Sequence, residues 1–278
     1  EIFKCLNWDR VGLNLNGEFL SHLRFADDII IFASSADELQ ARLVELNNES
    51  LKIGLKMNFS KTKVMCNSFS LKKDVNINNV CIEFVDSYVY LGQLITMEGS
   101  ILDEIHRRTK LGWSAFGRLY NVFKNDLPLC LKRKVFNQCV LPVLTYGCET
   151  WTLNVRSVQK LRVVQRAMER CMLGITRRDR KRNEWVREQT QVQDIIETVM
   201  RLKWKWAGHI VRRADGRWTK AVLNWIPENV KRPKGRPFGR WVDDIRKFGG
   251  RNWMVEAQDR NSWREKEEAF VQQWMVNG

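Results

Sequence analysis

Two aspartates stand side by side within a strongly apolar stretch of this chain. Leu23 and Phe25 precede Asp27-Asp28, and Ile29, Ile30, Ile31 and Phe32 follow them. Isoleucine-rich runs of this length favour β structure. Burying a carboxylate without a partner is too costly to tolerate. The pair must therefore sit at a turn or beside a counter-charge. The reading is two strands within 22–33, joined by a tight turn that projects both carboxylates from one point.

The segments around this hairpin read as a small α+β region. Ser35-Ala36-Asp37-Glu38 has the form of a capping box, with Ser at the N-cap and Glu three residues later. Leu39, Leu43 and Leu46 follow at helical spacing, and Gly54 fits the residue just past the helix end. Strand-like runs cover 63–67, 80–85 and 88–95, so a mixed sheet backed by the helix is expected. After Gly99 the chain turns helical, punctuated by Pro128 and Pro142. Val158, Leu161, Val164, Met168 and Met172 mark one apolar helix face. Val192, Ile195, Val199, Leu202, Trp206 and Ile210 mark another. A basic Pro/Gly linker spans 231–237, ahead of a last helical segment carrying Trp241, Trp253, Trp263 and Trp274. Nine of the twelve tryptophans follow residue 180, where most are expected to anchor a core and one or two could stack on bases.

Charge narrows the possible partners. The net formal charge is +15, and the halves differ sharply. Residues 1–150 carry 18 Lys/Arg against 17 Asp/Glu, whereas residues 151–278 carry 29 against 15. A basic half of this kind points to a polyanion, because Lys and Arg at phosphates release condensed counterions. A membrane surface fits less well, since no helix combines a basic face with an exposed aromatic one convincingly. No apolar run is long enough to span a bilayer. The chain opens on Glu1 without a charged-then-apolar leader, so a nuclear or cytoplasmic setting is expected rather than secretion. Seven cysteines without a C-x-x-C pair argue against a disulfide framework or a zinc site, and the three histidines are dispersed.

The chemistry that suits two adjacent carboxylates on a rigid turn is cation binding. Hard cations such as Mg²⁺ take carboxylate oxygens. Nucleotidyl transfer uses two of them, about 3.5–4 Å apart, one activating a hydroxyl and the other steadying the leaving pyrophosphate. The bland alternative is a solvated acidic turn.

A resemblance adds weight to the first reading. Leu23-Arg24-Phe25-Ala26-Asp27-Asp28, the run from Gly54 to Lys63, and Tyr90-Leu91-Gly92 occur in that order. Leu141 to Trp151, Arg166-Ala167-Met168-Glu169-Arg170, Leu202 to His209 and Gly235-Arg236-Pro237 continue the series. Together they resemble the endonuclease–reverse transcriptases of non-LTR (LINE-type) retrotransposons, over nearly the whole chain. The fold this implies is α+β: a partial reverse-transcriptase palm over 1–98, a helical thumb over 99–152, and a basic, Trp-rich helical C-terminal domain over 153–278. The function it implies is RNA-directed DNA polymerisation. Mg²⁺ would be the cofactor, an RNA template and a DNA primer or target the partners, and deoxynucleoside triphosphates the substrates of the intact enzyme.

Position by position, the resemblance implies that Asp27 and Asp28 are catalytic and metal-binding. Lys61 would protonate the leaving pyrophosphate, with Lys63 as its competitor. Tyr90, Leu91 and Gly92 would form the primer grip, where a glycine allows close backbone approach. The segment 146–151 is expected to pack rather than react. Basic residues read as phosphate contacts are Lys132, Arg133 and Lys134, then Arg177, Arg178, Arg180, Lys181 and Arg182. Arg232, Lys234 and Arg236 resemble an AT-hook core, although Lys234 stands where that motif has Arg, and a stiff basic linker is the alternative. One departure from the family pattern matters. A first palm aspartate is expected ahead of Asp27, yet Asp9 is only eighteen residues upstream and outside any strand-like run. The chain alone is therefore expected to be inactive. The competing readings are a non-catalytic nucleic-acid-binding remnant of a decayed element and a protein-interaction module built on the Trp-rich helices.

Overall fold

The computed structural model describes every residue except Glu1, Asp9, Phe69, Glu98, 226–238 and 277–278. The chain divides into two compact units, Glu1–Gly99 with Gly216–Val230, and Ser100–Asp215 with Lys231–Gly278. The class is α+β, with small antiparallel sheets in the first unit and helices dominating the second.

In the first unit a short helix α1 (Ile2–Cys5) precedes four strands, β1 (Leu13–Leu15), β2 (Glu18–Leu20), β3 (His22–Phe25) and β4 (Asp28–Ile31). Helix α2 (Ala36–Lys52) follows. Then come β5 (Asn76–Ile77), β6 (Val80–Cys81), β7 (Ser87–Tyr90) and β8 (Gln93–Thr96). The strands do not merge into the expected mixed sheet. They form four separate two-stranded antiparallel ribbons, and a parallel bridge links Val64 to Phe84. Each ribbon has a two-residue loop. Asn16-Gly17, Asn78-Asn79 and Leu91-Gly92 have positive φ at both positions, as a type I′ turn demands. The expected strand over 88–95 is thus a hairpin, bent back on itself at Leu91-Gly92. The expected strand over 63–67 reduces to the Val64 bridge.

Helix α2 begins and ends as its sequence requires. Ser35 Oγ accepts from the Glu38 amide at 3.1 Å. The Glu38 carboxylate, however, takes the amide and hydroxyl of Ser34 rather than closing the box on Ser35. At the other end Gly54, at φ +81, lets the Leu55 amide reach the Ser50 carbonyl and its own amide reach Leu51, the paired bonds of a Schellman stop. One face of α2 presents Leu43 to a core of Val64, Val75, Ile77 and Ile82. Leu46 joins a second cluster with Leu6 and Trp8. Ile31, the last residue of β4, packs against both clusters, so the acidic hairpin is seated on the α2 core.

The second unit opens with α3 (Ile101–Arg118), α4 (Tyr120–Lys124) and α5 (Leu129–Val135). Pro128 caps α5. A π-helical turn over Phe136–Val140 leads into α6 (Leu141–Leu144), where Pro142 occupies the first turn. Helices α7 (Val155–Met172), α8 (Asn183–Thr190) and α9 (Ile195–Arg212) follow. Beyond α10 (Trp218–Asn224), in the first unit's range, come α11 (Asp243–Gly249), α12 (Trp253–Glu256), α13 (Arg260–Glu265) and α14 (Glu267–Val276).

The expected face of α7 is buried throughout, and so are Cys148 and Trp151. The face of α9 is rotated from expectation. Leu202 is exposed, whereas Lys203 and Trp204 are fully buried. The Lys203 ammonium donates to Asp244 Oδ2 at 2.6 Å and to the Trp151 carbonyl at 3.3 Å. Trp204 stacks flat on Trp263 with centroids 3.7 Å apart. Each indole donates to the other's backbone carbonyl, at 2.8 and 3.0 Å. Gly208 makes room for that pair, since a Cβ there would lie 2.6 Å from the Trp263 ring.

Between α7, α8 and α9 lies a buried polar knot. Arg166 pairs with Glu169 and, at 2.9 Å, with Asp194. Thr190 donates to Glu169 at 3.1 Å. Asp194 also caps α9 through the amides of Ile196 and Glu197. Burial pushes the Glu169 carboxyl up, and Arg166 pulls against that shift.

Candidate functional site

The Asp27-Asp28 pair lies where its sequence demands. β3 and β4 pair antiparallel with Phe25 opposite Asp28, leaving Ala26-Asp27 as the loop. Both aspartates are exposed. Only half of β4 is sheltered, and Ile29 is 39 % exposed and Phe25 64 %, so the isoleucine run is less buried than its composition implies. Ala26 carries φ +53, and Asp27 does not share the positive sign. That is the sign pattern of a type II′ turn, and it sets this ribbon apart from the other three. Alanine in this region is strained by about 1–2 kcal/mol. Ala26→Gly should therefore stabilise the first unit by about 0.5–1 kcal/mol, after allowance for the looser unfolded chain. Chemical denaturation would check this; a loss of stability would mean that the Ala26 methyl makes a contact worth more than the strain.

The lysine-bearing loop is built on Asn58. Its side-chain oxygen accepts from Ser60 Oγ at 2.7 Å and from the Lys61 amide at 3.2 Å, while its carbonyl accepts from Thr62. Met57 and Phe59 pack on the α2 core, which fixes the loop. Of the two candidate lysines, Lys63 is committed to Glu83 across the Val64–Phe84 bridge. Lys61 is exposed.

The primer-grip candidate is the tip of the β7–β8 ribbon. Leu91 and Gly92 form its loop, and Tyr90 faces Gln93 at its base. Residues 88 and 90 point to the same face of β7. The Tyr88 hydroxyl donates to the Lys61 carbonyl at 3.3 Å. The Tyr90 phenol is held above its ordinary value, first by partial burial and second by the negative charge of Asp28. That strand face bonds to the lysine loop, and its second phenol feels the charge of the acidic turn.

Two adjacent carboxylates supply oxygens of the kind Mg²⁺ takes. Among the described residues, however, no three His, Cys, Asp or Glu side chains come together as a metal-holding group. The turn supplies two such side chains, and Asp9 lies outside the described residues.

The basic candidates fall in the second unit. Lys132 is buried, with its ammonium on the Met172 carbonyl at 3.4 Å; its charge serves the end of α7 rather than the surface. Arg133 donates to Gln191 at 2.5 Å, and Lys134 is exposed. Arg177 and Arg178 sit on a 3-10 turn (Arg177–Asp179) closed by a capping box between Thr176 and Asp179. Arg180, Lys181 and Arg182 follow, and all five are exposed. Lys181 lies over the Trp185 ring at 5.1 Å. The Lys132–Met172, Arg133–Gln191 and Asn137–Gln193 contacts bring α5 beside the segment that carries the run. Two basic stretches forty residues apart therefore share one part of the unit. Arg232, Lys234 and Arg236 lie outside the described residues. No helix among the described residues is long and apolar enough to cross a membrane.

Comparison with known proteins bears on both units. The family model described as reverse transcriptase (RNA-dependent DNA polymerase) matches residues 10–95, which contain the acidic turn, the lysine loop and the β7–β8 turn. A Caenorhabditis elegans protein described as transposon-derived is 35 % identical over 269 residues, covering 90 % of this chain and 96 % of the relative. The similarity therefore extends well beyond residues 10–95 into the helical unit.

Proposed function

Because the chain belongs to the reverse transcriptase family of transposon-derived proteins, we propose that it is the C-terminal part of a retrotransposon polymerase of the non-LTR type. Residues 1–98 form the end of the palm, 99–152 a thumb, and 153–278 a basic domain that holds nucleic acid. The observation that carries this reading is the match of residues 10–95 to the family, with the exposed acidic turn, the Lys61 loop and the β7–β8 ribbon inside it and the Tyr88 hydroxyl joining the last two. A polymerase needs carboxylates, a proton donor and a primer support within reach of a single phosphate.

Each of this chain's groups has a role in that arrangement. Asp27 and Asp28 contribute oxygens to a centre that a further carboxylate must complete. Lys61 Nζ, free of the ion pair that holds Lys63, gives its proton to the departing pyrophosphate oxygen. The Leu91-Gly92 turn supports the primer end. The exposed arginines of 177–182 hold phosphates without reading sequence. Arg232, Lys234 and Arg236 add a minor-groove contact. The template is RNA, the primer or target DNA, and the substrates are deoxynucleoside triphosphates.

The test is primer extension on a poly(rA)–oligo(dT) substrate with Mg²⁺ and dTTP. The purified chain is expected to bind the substrate without extending it. Extension is expected once a palm-and-fingers segment bearing another aspartate is supplied, and Asp27→Ala should then abolish it while leaving binding intact. Extension by the chain alone would overturn the incomplete-centre reading. Binding without extension even in the supplemented reaction would favour a non-catalytic nucleic-acid-binding role, which the incomplete donor set also fits.

A further inference from the structure

Besides the 177–182 run, one surface of the second unit combines exposed aromatic rings with positive charge, a combination not expected of any helix from the sequence. Along α3 and α4, Lys110, Trp113, Gly117, Tyr120 and Lys124 recur at steps of three, four, three and four. Such spacing places them on one helical stripe. The break between the helices is a single residue, Leu119, and the stacking of Phe116 on Phe123 across it keeps the inner faces of α3 and α4 in line. The opposite face carries Ile105, Arg108, Gly112, Phe116 and Phe123, all buried.

Both rings on the stripe are exposed, Trp113 by 36 % and Tyr120 by 48 %. Trp113 is anchored edge-on to buried Phe116 at 5.6 Å, and Phe116 stacks on Phe123 at 4.3 Å. The indole is thus positioned by the core while about a third of it stays exposed. The Lys124 ammonium stands 5.3 Å from the Tyr120 ring centre, which sets a positive charge beside an aromatic face. Lys110 and Arg118 are exposed along the same stretch.

Gly117 is the residue that packing does not explain. It lies in the last turn of α3, where glycine costs about 0.5–1 kcal/mol relative to alanine. It does not adopt the positive φ that would call for glycine, and a methyl group there would meet no atom within 4 Å. Its effect is to leave the surface between the two rings bare.

We propose that this stripe is a binding platform for single-stranded nucleic acid. Unpaired bases stack on Trp113 and Tyr120, the strand crosses the gap at Gly117, and Lys110, Arg118 and Lys124 take its phosphates. Base-on-ring stacking tolerates any sequence, because every base has a π face. A duplex, whose bases are already stacked, gains nothing from the rings. The proposal rests on the nucleic-acid reading above and names the form of nucleic acid that this part of the chain takes.

Fluorescence anisotropy with a labelled dT12 strand and a labelled blunt 12-base-pair duplex, in the same buffer, tests it. Trp113→Ala and Tyr120→Ala are each expected to weaken dT12 binding by about 5- to 100-fold, the range for one lost base stack, and duplex binding by less than about threefold. Trp113→Phe keeps a ring and should stay near the parent, which guards against a misfolded alanine variant. Gly117→Leu should raise the melting temperature through helix propensity yet weaken dT12 binding. Equal loss on both probes, or no loss on dT12, would overturn the platform while leaving the basic domain's role standing. Failure of the parent chain to bind either probe at low salt would overturn both.

Discussion

Replacing Arg177, Arg178, Arg180, Lys181 and Arg182 together by alanine should weaken binding to a nucleic-acid duplex on the order of a hundredfold at low salt. It should also flatten the dependence of log K on log salt by about four to five units, because each phosphate contact contributes close to 0.9 to that slope. All five side chains are exposed, and the turn carrying them is held by Thr176 and Asp179 rather than by the arginines. The fold should therefore survive. Lys134→Ala, also exposed, should reduce the slope by about one unit. Lys132→Ala provides the contrast. Its ammonium is buried on the Met172 carbonyl, so the expected effect is lost stability with an unchanged slope. Salt titrations of the parent and these variants decide the matter. A quintuple variant with the parent's slope would place the nucleic acid elsewhere on the chain.

Asp194→Ala should cost the second unit about 3–5 kcal/mol, the usual penalty for removing one partner of a buried ion pair. Two losses coincide there. The carboxylate that meets Arg166 at 2.9 Å disappears, and α9 loses the acceptor for its first free amides. The cap alone is worth about 1 kcal/mol. Asp194→Asn keeps an oxygen for the cap but not the charge, so it should fall between the parent and Asp194→Ala. Denaturant midpoints at constant slope would measure both. A loss below about 1 kcal/mol for the alanine variant would mean that Glu169 alone satisfies Arg166.

Much of the acidic hairpin could be read from residues 22–33, because an apolar run with charge at its centre has few ways to fold. The stop of α2 at Gly54 was equally plain, since the Schellman pattern needs glycine or little else. The Asn16-Gly17 ribbon carried a strong local signal, a turn dipeptide between short apolar segments, although the early residues drew no strand expectation. The α9 face could not be placed from apolar residues alone. Its buried stripe includes Lys203, and a lysine in a periodic pattern reads as surface unless Asp244, forty-one residues later, is known to meet it. For the same reason Lys132 reads as a phosphate ligand in sequence and lies inside the fold. The order of the three motifs was visible in the chain. That the Tyr88 hydroxyl meets the Lys61 loop follows from a ribbon that turns at Leu91-Gly92, where the sequence reads as a single strand.

The four ribbons of the first unit also bear on how quickly it can form. Every named strand pairs with its immediate neighbour across a two-residue loop, so strand pairing demands almost no closure of long loops. Hairpins of this kind form in about 1–10 μs, and a topology rich in local pairing folds fast for its size. The slower step is the gathering of Val64, Phe84 and Ile31 around α2. The acidic turn can thus close on its own ahead of that collapse, and hydrogen exchange during refolding should protect the Ile30 amide, which faces Leu23 in a hydrogen-bonded pair, before that of Val64.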